Sequence, residues 1–464
     1  MNLQRDICYK ALLAQDPRFD GLFFTCVTST GIYCRSICRA IVPREENCIF
    51  VASPMEAEKA GYRPCLRCRP EYAPLSKSNE RTAASRLADY IDETLLADES
   101  LTQAAGRLRI SDRHLRRMFE EQFGVEPKKY LTTRRLLFAK QLLQDTTMSV
   151  TQVAYMAGFG SQSRLTINMR RSYGFTPDRL RKDTSVHARS QTLMLRTDYR
   201  PPFDWDLLLG FIKKRATPSE WATDTTYHRL IGSDEIVVRN VPAKNYLTIE
   251  VPQKLSRHAH AILMKVRRLF DLDANPSVIT TVLTNDPYLK PFLADNPGVR
   301  VPGCWDNFEM LIRAVVGQQV SVSAATTVMR RLVERIGSTP DTLAASSADE
   351  IASIGMPLKR ATTIHTLAHK VKNSDIDLNE CDPQRFADQF QHISGIGPWT
   401  IAYLQLRILH WPDALPAEDI GLQRALIPYK RITKAELSKY AEAWRPWRSY
   451  AVFLLWNASS NQGG

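Results

Sequence analysis

The chain has 464 residues, which at roughly 100 to 200 residues per domain is room for three or four domains with buried cores. Its formal net charge of +13 favours a polyanionic partner, nucleic acid first, because basic patches attract phosphate and release its counterions. No apolar run of about 18 residues and no lipidation motif supports a membrane role, MNLQRDICYK does not read as a signal peptide, and nine cysteines without an export signal point to the reducing cytoplasm.

Seven of those cysteines precede residue 69. Cys34-x3-Cys38 and Cys65-x2-Cys68 are two close pairs separated by a loop, a spacing that lets four thiolates surround one tetrahedral zinc ion. Spacing alone is met by a purely structural zinc module. A zinc thiolate also stays deprotonated at neutral pH, and Arg35, Arg39, Arg44, Arg63, Arg67 and Arg69 would bring phosphate to it, so attack on an alkyl group is a second reading. Cys8, Cys26 and Cys48 read as buried small hydrophobes. The run PLSKSNE marks a boundary near residues 73 to 80.

The next hundred residues hold a weak repeat. Ser100-Leu-Thr-Gln-Ala-Ala recurs as Ser149-Val-Thr-Gln-Val-Ala, and Phe123-Gly-Val-Glu-Pro as Tyr173-Gly-Phe-Thr-Pro. Each copy reads as a short helix, a turn and a basic second helix, SDRHLRRMFEEQFG and SQSRLTINMRRSYG. Arg113, Arg116 and Arg117 alone would suit a solvated face, whereas the tandem copies favour paired helix-turn-helix units. After the polar run DTSVHARSQ, residues 190 to 300 mix strand-like EIVVRNV and NYLTIEV with helical segments. From Pro302 onward the pattern is helical. Gly395-Ile396-Gly397 suits a hairpin whose following helix offers free N–H groups to phosphate, and Asp419 starts a helix-like segment about twenty residues later, where an N-cap is the plainer role. The expected fold is multidomain and mainly α, with a small α+β zinc domain (1–73), a helix-turn-helix domain (80–183), and an α+β subdomain (190–300) preceding an all-α core (301–460).

TSTGIYCRSICRA with AGYRPCLRCRPE resembles the metal-binding domain of the Ada family of alkylation-response proteins. The resemblance implies that Cys34 takes a methyl group irreversibly from a DNA methylphosphotriester, with Cys38, Cys65 and Cys68 completing a one-zinc site, and that the lost negative charge strengthens DNA binding. GFGSQSRLTINMRRSYGFTPDRLRK resembles the AraC-type DNA-binding domain, with Arg113, His114, Gln162 and Arg164 as candidate base contacts. LMLRTDYRPPFDWDLLLGFIKKRA, VPGCWDNFEMLIRAVVGQQVSVSAA, GMPLKRA and RPWRSYAVFLLW are similar to the AlkA family of 3-methyladenine DNA glycosylases II, of the helix-hairpin-helix superfamily.

That last resemblance implies Asp419 as the catalytic aspartate, Trp399, Tyr403 and Trp456 around the base, Gly395 and Gly397 at DNA, and no cofactor for this half. It also implies release of 3-methyladenine, 7-methylguanine and related bases, whose positive charge suits electron-rich ring faces. Trp399 stands where strand-cleaving relatives carry a lysine, so the reaction stops at an abasic site. Gln319 stands where the family places a leucine wedge and would fill the gap by hydrogen bonding. No Pro-Cys-His-Arg motif occurs, so repair of O6-methylguanine is not expected. Duplex DNA is the partner, RNA polymerase a further one if the module activates the alkylation response. The competing reading is a methylation-sensing regulator that keeps the glycosylase fold as an inactive platform.

Overall fold

The computed structural model describes residues 4–75, 87–88, 91–92, 106, 111–182, 192–380, 382–426 and 432–462. The stretch Ser100-Leu-Thr-Gln-Ala-Ala of the first repeat copy, most of the run PLSKSNE and the run DTSVHARSQ fall outside them. In chain order come α1 (Arg5–Leu13), β1 (Phe24–Val27), β2 (Ile32–Arg35), β3 (Cys48–Val51), α2 (Pro54–Lys59), β4 (Arg63–Pro64), α3 (Asp112–Phe123), α4 (Pro127–Asp145), α5 (Val150–Met156), α6 (Gln162–Tyr173) and α7 (Pro177–Lys182). There follow β5 (Thr192–Asp198), α8 (Trp205–Lys213), β6 (Glu220–Ala222), β7 (Thr226–Ile231), β8 (Asp234–Val241), β9 (Tyr246–Pro252), α9 (Ala259–Leu269), α10 (Pro276–Leu283) and α11 (Leu289–Asp295). The last stretch is helical: α12 (Asn307–Val316), α13 (Val322–Arg335), α14 (Pro340–Ala345), α15 (Ala348–Ser353), α16 (Leu358–Lys372), α17 (Pro383–Asp388), α18 (Pro398–Arg407), α19 (Ile420–Ala425), α20 (Lys434–Tyr440) and α21 (Arg448–Gln462). Among the described residues no helix is long and apolar enough to cross a membrane. The chain divides into two compact units, residues 1–201 with 233–267, and residues 202–232 with 268–464.

In the first unit, β1 pairs antiparallel with β2 and β3, and β4 joins β2 in parallel, giving the order β3-β1-β2-β4. Phe24, Cys26, Tyr33 and Ala57 form the core of this module. Its helix α2 begins where the sequence dictates, since Ser53 accepts the Glu56 N–H and Pro54 needs no N–H partner in the first turn. The helical repeat is visible in matched frames. Ser111 and Ser161 cap α3 and α6, Leu115 and Leu165 are buried one turn in, and Gly124 and Gly174 close the helices at φ of 69° and 73°. Such left-handed C-terminal positions favour glycine because they spare it a Cβ clash.

Three buried polar networks bind the zinc-side module to its neighbours within this unit. The Glu58 carboxylate accepts hydrogen bonds from Tyr33 (3.2 Å), Tyr173 (3.2 Å) and Thr133 (2.8 Å), so β2, α4 and α6 meet at one acid. Burial outweighs those hydroxyls and pushes its carboxyl up to about 7. Lys140 of α4 is fully buried and donates to both Glu71 oxygens at 2.7 and 2.6 Å, while Arg69 bridges Glu71 and Asp145. Burial alone would raise the Glu71 carboxyl, but the charges of Lys140 and Arg69 hold it below its ordinary value. Arg35 donates to Asp20 (2.9 Å) and to Asp198 at the end of β5 (2.8 Å). Strand β9 lies between β5 and β8, antiparallel to both.

The second unit is built on an apolar cluster that includes Phe308, Leu311, Val315, Met329, Leu332, Ile364, Leu367, Phe386, Phe390 and Leu404, which draws together α12, α13, α16, α17 and α18. Its helices start on sequence-coded caps: Asp306 for α12, Ser321 for α13, and capping boxes at Thr339 and Ser347. This packing holds the hairpin between α17 and α18 against α16.

Candidate metal centre and active site

Strand pairing assembles the thiols. Cys34 lies on β2 opposite Thr25, Cys38 follows a tight turn closed by its N–H on the Arg35 carbonyl, and the Cys65 N–H bonds the Tyr33 carbonyl just past β4. The sulfurs of Cys34, Cys38, Cys65 and Cys68 consequently lie within 4.8 Å of one another. Zinc–sulfur bonds of about 2.3 Å in a tetrahedron need sulfurs about 3.8 Å apart, so the donor set and spacing fit zinc. Without a cation the four thiols compete for protons. Hydrogen bonding with Cys38 raises Cys34, and hydrogen bonding from Cys34 brings Cys38 down to about 7.

The four are not equivalent. Cys38 and Cys65 are buried, while Cys34 and Cys68 are partly exposed. The N–H of Arg35 reaches Cys68 Sγ at 3.4 Å, and those of Ala40 and Cys68 face Cys38 and Cys65. Cys34 receives none of these three donors. A thiolate stabilised by N–H donors is a weaker nucleophile, and Cys34 is the partly exposed sulfur that none of these three donors reaches. Cys8, Cys26 and Cys48 are buried, away from this cluster.

On the helical repeat, Arg113, His114, Gln162 and Arg164 are all exposed in the first turns of α3 and α6. Gln162 accepts the Thr151 hydroxyl at 2.9 Å, and Arg117 contacts the His114 ring at 3.2 Å. The two helices thus present equivalent polar ends to solvent.

In the second unit, Asp419 caps α19: its Oδ1 accepts the Leu422 N–H at 2.9 Å. Its Oδ2 accepts the Trp399 indole N–H at 2.8 Å. The residue that caps α19 is therefore also the one that holds the Trp399 indole. Each carboxylate oxygen keeps a further lone pair. Trp399 stacks on Tyr403 with centroids 5.4 Å apart and planes 15° off parallel, and Tyr403 meets Trp456 at 5.9 Å. All three rings and Asp419 are partly exposed, as an open wall beside a carboxylate requires.

The hairpin is sterically specified at one glycine only. Gly395 has φ of 88°, and a Cβ there would meet Thr363 Oγ1 at 2.4 Å; at Gly397 a Cβ would meet nothing within 4 Å. Gly397 instead leaves open the N-terminus of α18, which has no side-chain cap. Gln319 is exposed, with φ of 56°, just before α13.

Three residues that sequence reasoning missed hold this arrangement. Gln318 donates to the Gly395 carbonyl (2.8 Å) and the Thr400 hydroxyl (3.0 Å). Thr363 donates to the Ser394 carbonyl (3.0 Å). Arg407, anchored on the Pro302 and Gly303 carbonyls at 2.8 Å each, donates to the Tyr403 hydroxyl at 3.0 Å. A polar Gln318 inside the apolar run VVGQQVSV was the one available signal.

Family profiles match along the whole order of segments: the metal-binding domain of Ada over residues 7–71, a helix-turn-helix domain over 104–183, the AlkA N-terminal domain over 194–306, and the helix-hairpin-helix base excision DNA repair superfamily over 312–448. The "DNA-3-methyladenine glycosylase 2" of Escherichia coli is 33% identical over 57% of this chain and 96% of its own length. The "Bifunctional transcriptional activator/DNA repair enzyme Ada" of the same organism is 35% identical over 39% of this chain and 49% of its own. A solved 3-methyladenine DNA glycosylase from Archaeoglobus fulgidus shares the fold of 58% of the chain, with a TM-score of 0.51 at 17% identity, over 99% of its own length. The "Probable bifunctional transcriptional activator/DNA repair enzyme AlkA" of Mycobacterium tuberculosis is 32% identical across 97% of this chain and 95% of its own length. With four segments in the same order and nearly full-length similarity to that relative, the chain belongs to the family of bifunctional transcriptional activator/DNA repair enzymes of the AlkA type.

Proposed function

We propose that this protein repairs alkylated DNA by two chemistries, base excision in its second unit and methyl capture at Cys34 in its first. The observation that carries the first is the Asp419 carboxylate, held by the Trp399 indole beside the Trp399–Tyr403–Trp456 wall. A flipped 3-methyladenine or 7-methylguanine carries positive charge, and ring faces attract it. As the bond from C1′ to the base nitrogen breaks, its electron pair leaves with the base and neutralises it. Positive charge appears on the sugar, which Asp419 stabilises; water adds to C1′ and loses a proton. Trp399 offers no amine, so the strand stays intact and an abasic site remains. The hairpin at Gly395 and Gly397 takes backbone phosphate on the open N-terminus of α18, and Gln319 enters the space that the flipped nucleotide leaves.

At the other site, Cys34, Cys38, Cys65 and Cys68 would hold one zinc ion, which keeps thiolates deprotonated at neutral pH. Cys34 Sγ attacks the methyl carbon of a phosphotriester; the carbon–oxygen bond breaks and the phosphodiester leaves with the electron pair. The product thioether is neutral, so the module repels DNA less. With Arg113, His114, Gln162 and Arg164 at a promoter, the alkylated protein engages RNA polymerase as an activator, and its work on chromosomal DNA is cytoplasmic. Base release from methylated duplex, compared between wild type and Asp419→Asn, tests the reading. Undiminished release by Asp419→Asn would remove that carboxylate from the mechanism, and no release by the wild type would reduce the second unit to an inactive platform.

A further inference from the structure

Within the first unit, a cleft of about 540 Å³ opens between the zinc-side module and the C-terminal end of α6 with α7. Four arginines line it, Arg63 from β4, Arg170 and Arg171 from α6, and Arg179 from α7. Among the described residues none of these guanidiniums has a carboxylate within 4.0 Å. The contrast with Arg35 and Arg69, each paired with two acids in the same unit, is sharp. The rim includes Gly31, Gly61 and Gly174 at φ of 67°, 87° and 73°, and a Cβ on any of them would meet nothing within 4 Å. Glycine there is required by the turns and leaves the opening wide.

We infer that this cleft binds phosphate, and that its occupant is the sugar–phosphate backbone of one DNA strand on its way to the thiol cluster. The assignment rests on the DNA-repair reading above and adds to it a surface outside both the base-reading helix ends and the cysteines. Leu66, on the cleft wall, lies between two of the four clustered cysteines, Cys65 and Cys68. Gly31 precedes Cys34 by three residues, about 10 Å of strand, a distance that a strand covers in about three nucleotides at 3.4 Å of axial rise each. The candidate base contacts Gln162 and Arg164 sit at the opposite end of α6, a 12-residue helix about 18 Å long. Contacts in the cleft would therefore position the strand without reading its sequence. The exposed backbone of one strand of a duplex offers evenly spaced anions to four guanidiniums that have no carboxylate partner among the described residues. Its effect is to present the phosphotriester to Cys34 in register.

The test uses the full-length zinc-loaded protein with Arg170→Gln, Arg179→Gln and the double variant, with Arg164→Gln for comparison. All three arginines are exposed, and zinc content and thermal melting confirm folding. Affinity is measured from about 50 to 200 mM salt for an unmodified duplex and for one carrying a single methylphosphotriester. Each cleft arginine removed should lower the slope of log K against log salt by about 0.9, regardless of DNA sequence. Methyl transfer at sub-saturating DNA should slow by a similar factor to the loss of affinity, and base release at saturating DNA should not change. Unchanged slopes in both cleft variants, with the slope lowered in Arg164→Gln, would overturn the assignment. So would binding of pyrophosphate that the double variant abolishes while the DNA slopes stay at the wild-type value, because the cleft would then serve a small polyphosphate. Failure of the wild-type protein to bind either duplex would remove the DNA reading on which the assignment rests.

Discussion

Replacing Asp419 with asparagine removes one negative charge, but the hydrogen bonds show that it changes more than charge. Asparagine has one acceptor oxygen where aspartate uses two. Its oxygen can keep the cap on Leu422 N–H, and asparagine caps as well as aspartate, so α19 should keep its stability. Its amide NH2 would then face the Trp399 indole N–H, donor to donor, where a 2.8 Å charge-assisted bond now stands. Loss of that bond costs about 1.5 to 3 kcal/mol in the order of the aromatic wall. Loss of preorganised charge at the sugar costs about 3 to 4 kcal/mol in the transition state, a rate loss of about a hundredfold to a thousandfold. Trp399→Phe separates the two, since it removes the donor and keeps the carboxylate. Single-turnover excision of 3-methyladenine, beside binding titrations at matched salt, should show Asp419→Asn far slower than Trp399→Phe, with DNA affinity nearly wild type. Wild-type rate in Asp419→Asn, or an equal loss in Trp399→Phe, would refute the charge argument.

Metal analysis should find one zinc per chain, and peptide mass spectrometry after reaction with methylphosphotriester DNA should place a methyl group on Cys34; Cys34→Ala should lose that methyl while base excision persists. Lys140→Met should destabilise the first unit by about 1 to 3 kcal/mol, because it leaves the buried Glu71 carboxylate with Arg69 as its remaining cationic partner; a shift of less than about 1 °C in its melting would contradict this. Glu58 supplies a pH test. Its carboxyl titrates near 7 in the folded chain and near 4.5 in the reference state, so the folded form holds its proton more tightly. The favourable contribution is complete below about 4.5 and is lost as pH rises through about 7, a swing of about 3 kcal/mol. Glu58→Gln, permanently neutral, should therefore gain stability over wild type as pH rises across that window, and a pH-independent difference would count against it.

The cysteine spacing gave the metal cluster directly, because ligand geometry depends on short local separations that a sequence displays. The helical repeat was equally legible, since Ser111 and Ser161 or Gly124 and Gly174 are local signals for starting and stopping a helix. Asp419 is singled out in the sequence by its place after the hairpin, yet its bond to Trp399 spans twenty residues and no periodicity announces it. The same holds for Gln318, Thr363 and Arg407, whose partners are carbonyls and hydroxyls brought near by packing. Least legible was the joining of the zinc-side module to the helical repeat. Residues Glu58 and Glu71 look like ordinary surface acids in the sequence, and their partners Thr133, Tyr173 and Lys140 lie more than sixty residues away.

The Lys140–Glu71 pair also limits how the protein can be taken apart or recombined. The polar run after residue 73 invites a cut, and a cut there would put Glu71 on one fragment and Lys140 on the other. Each fragment would expose a charged site shaped for its absent half, and the Glu58 carboxyl would lose Thr133 and Tyr173 in the same stroke. Chimaeras that graft this zinc-side module onto another helix-turn-helix protein would need to carry Thr133, Lys140, Asp145 and Tyr173 with it. The heritable and engineerable piece therefore extends at least to Tyr173, a hundred residues beyond the boundary that the linker advertises.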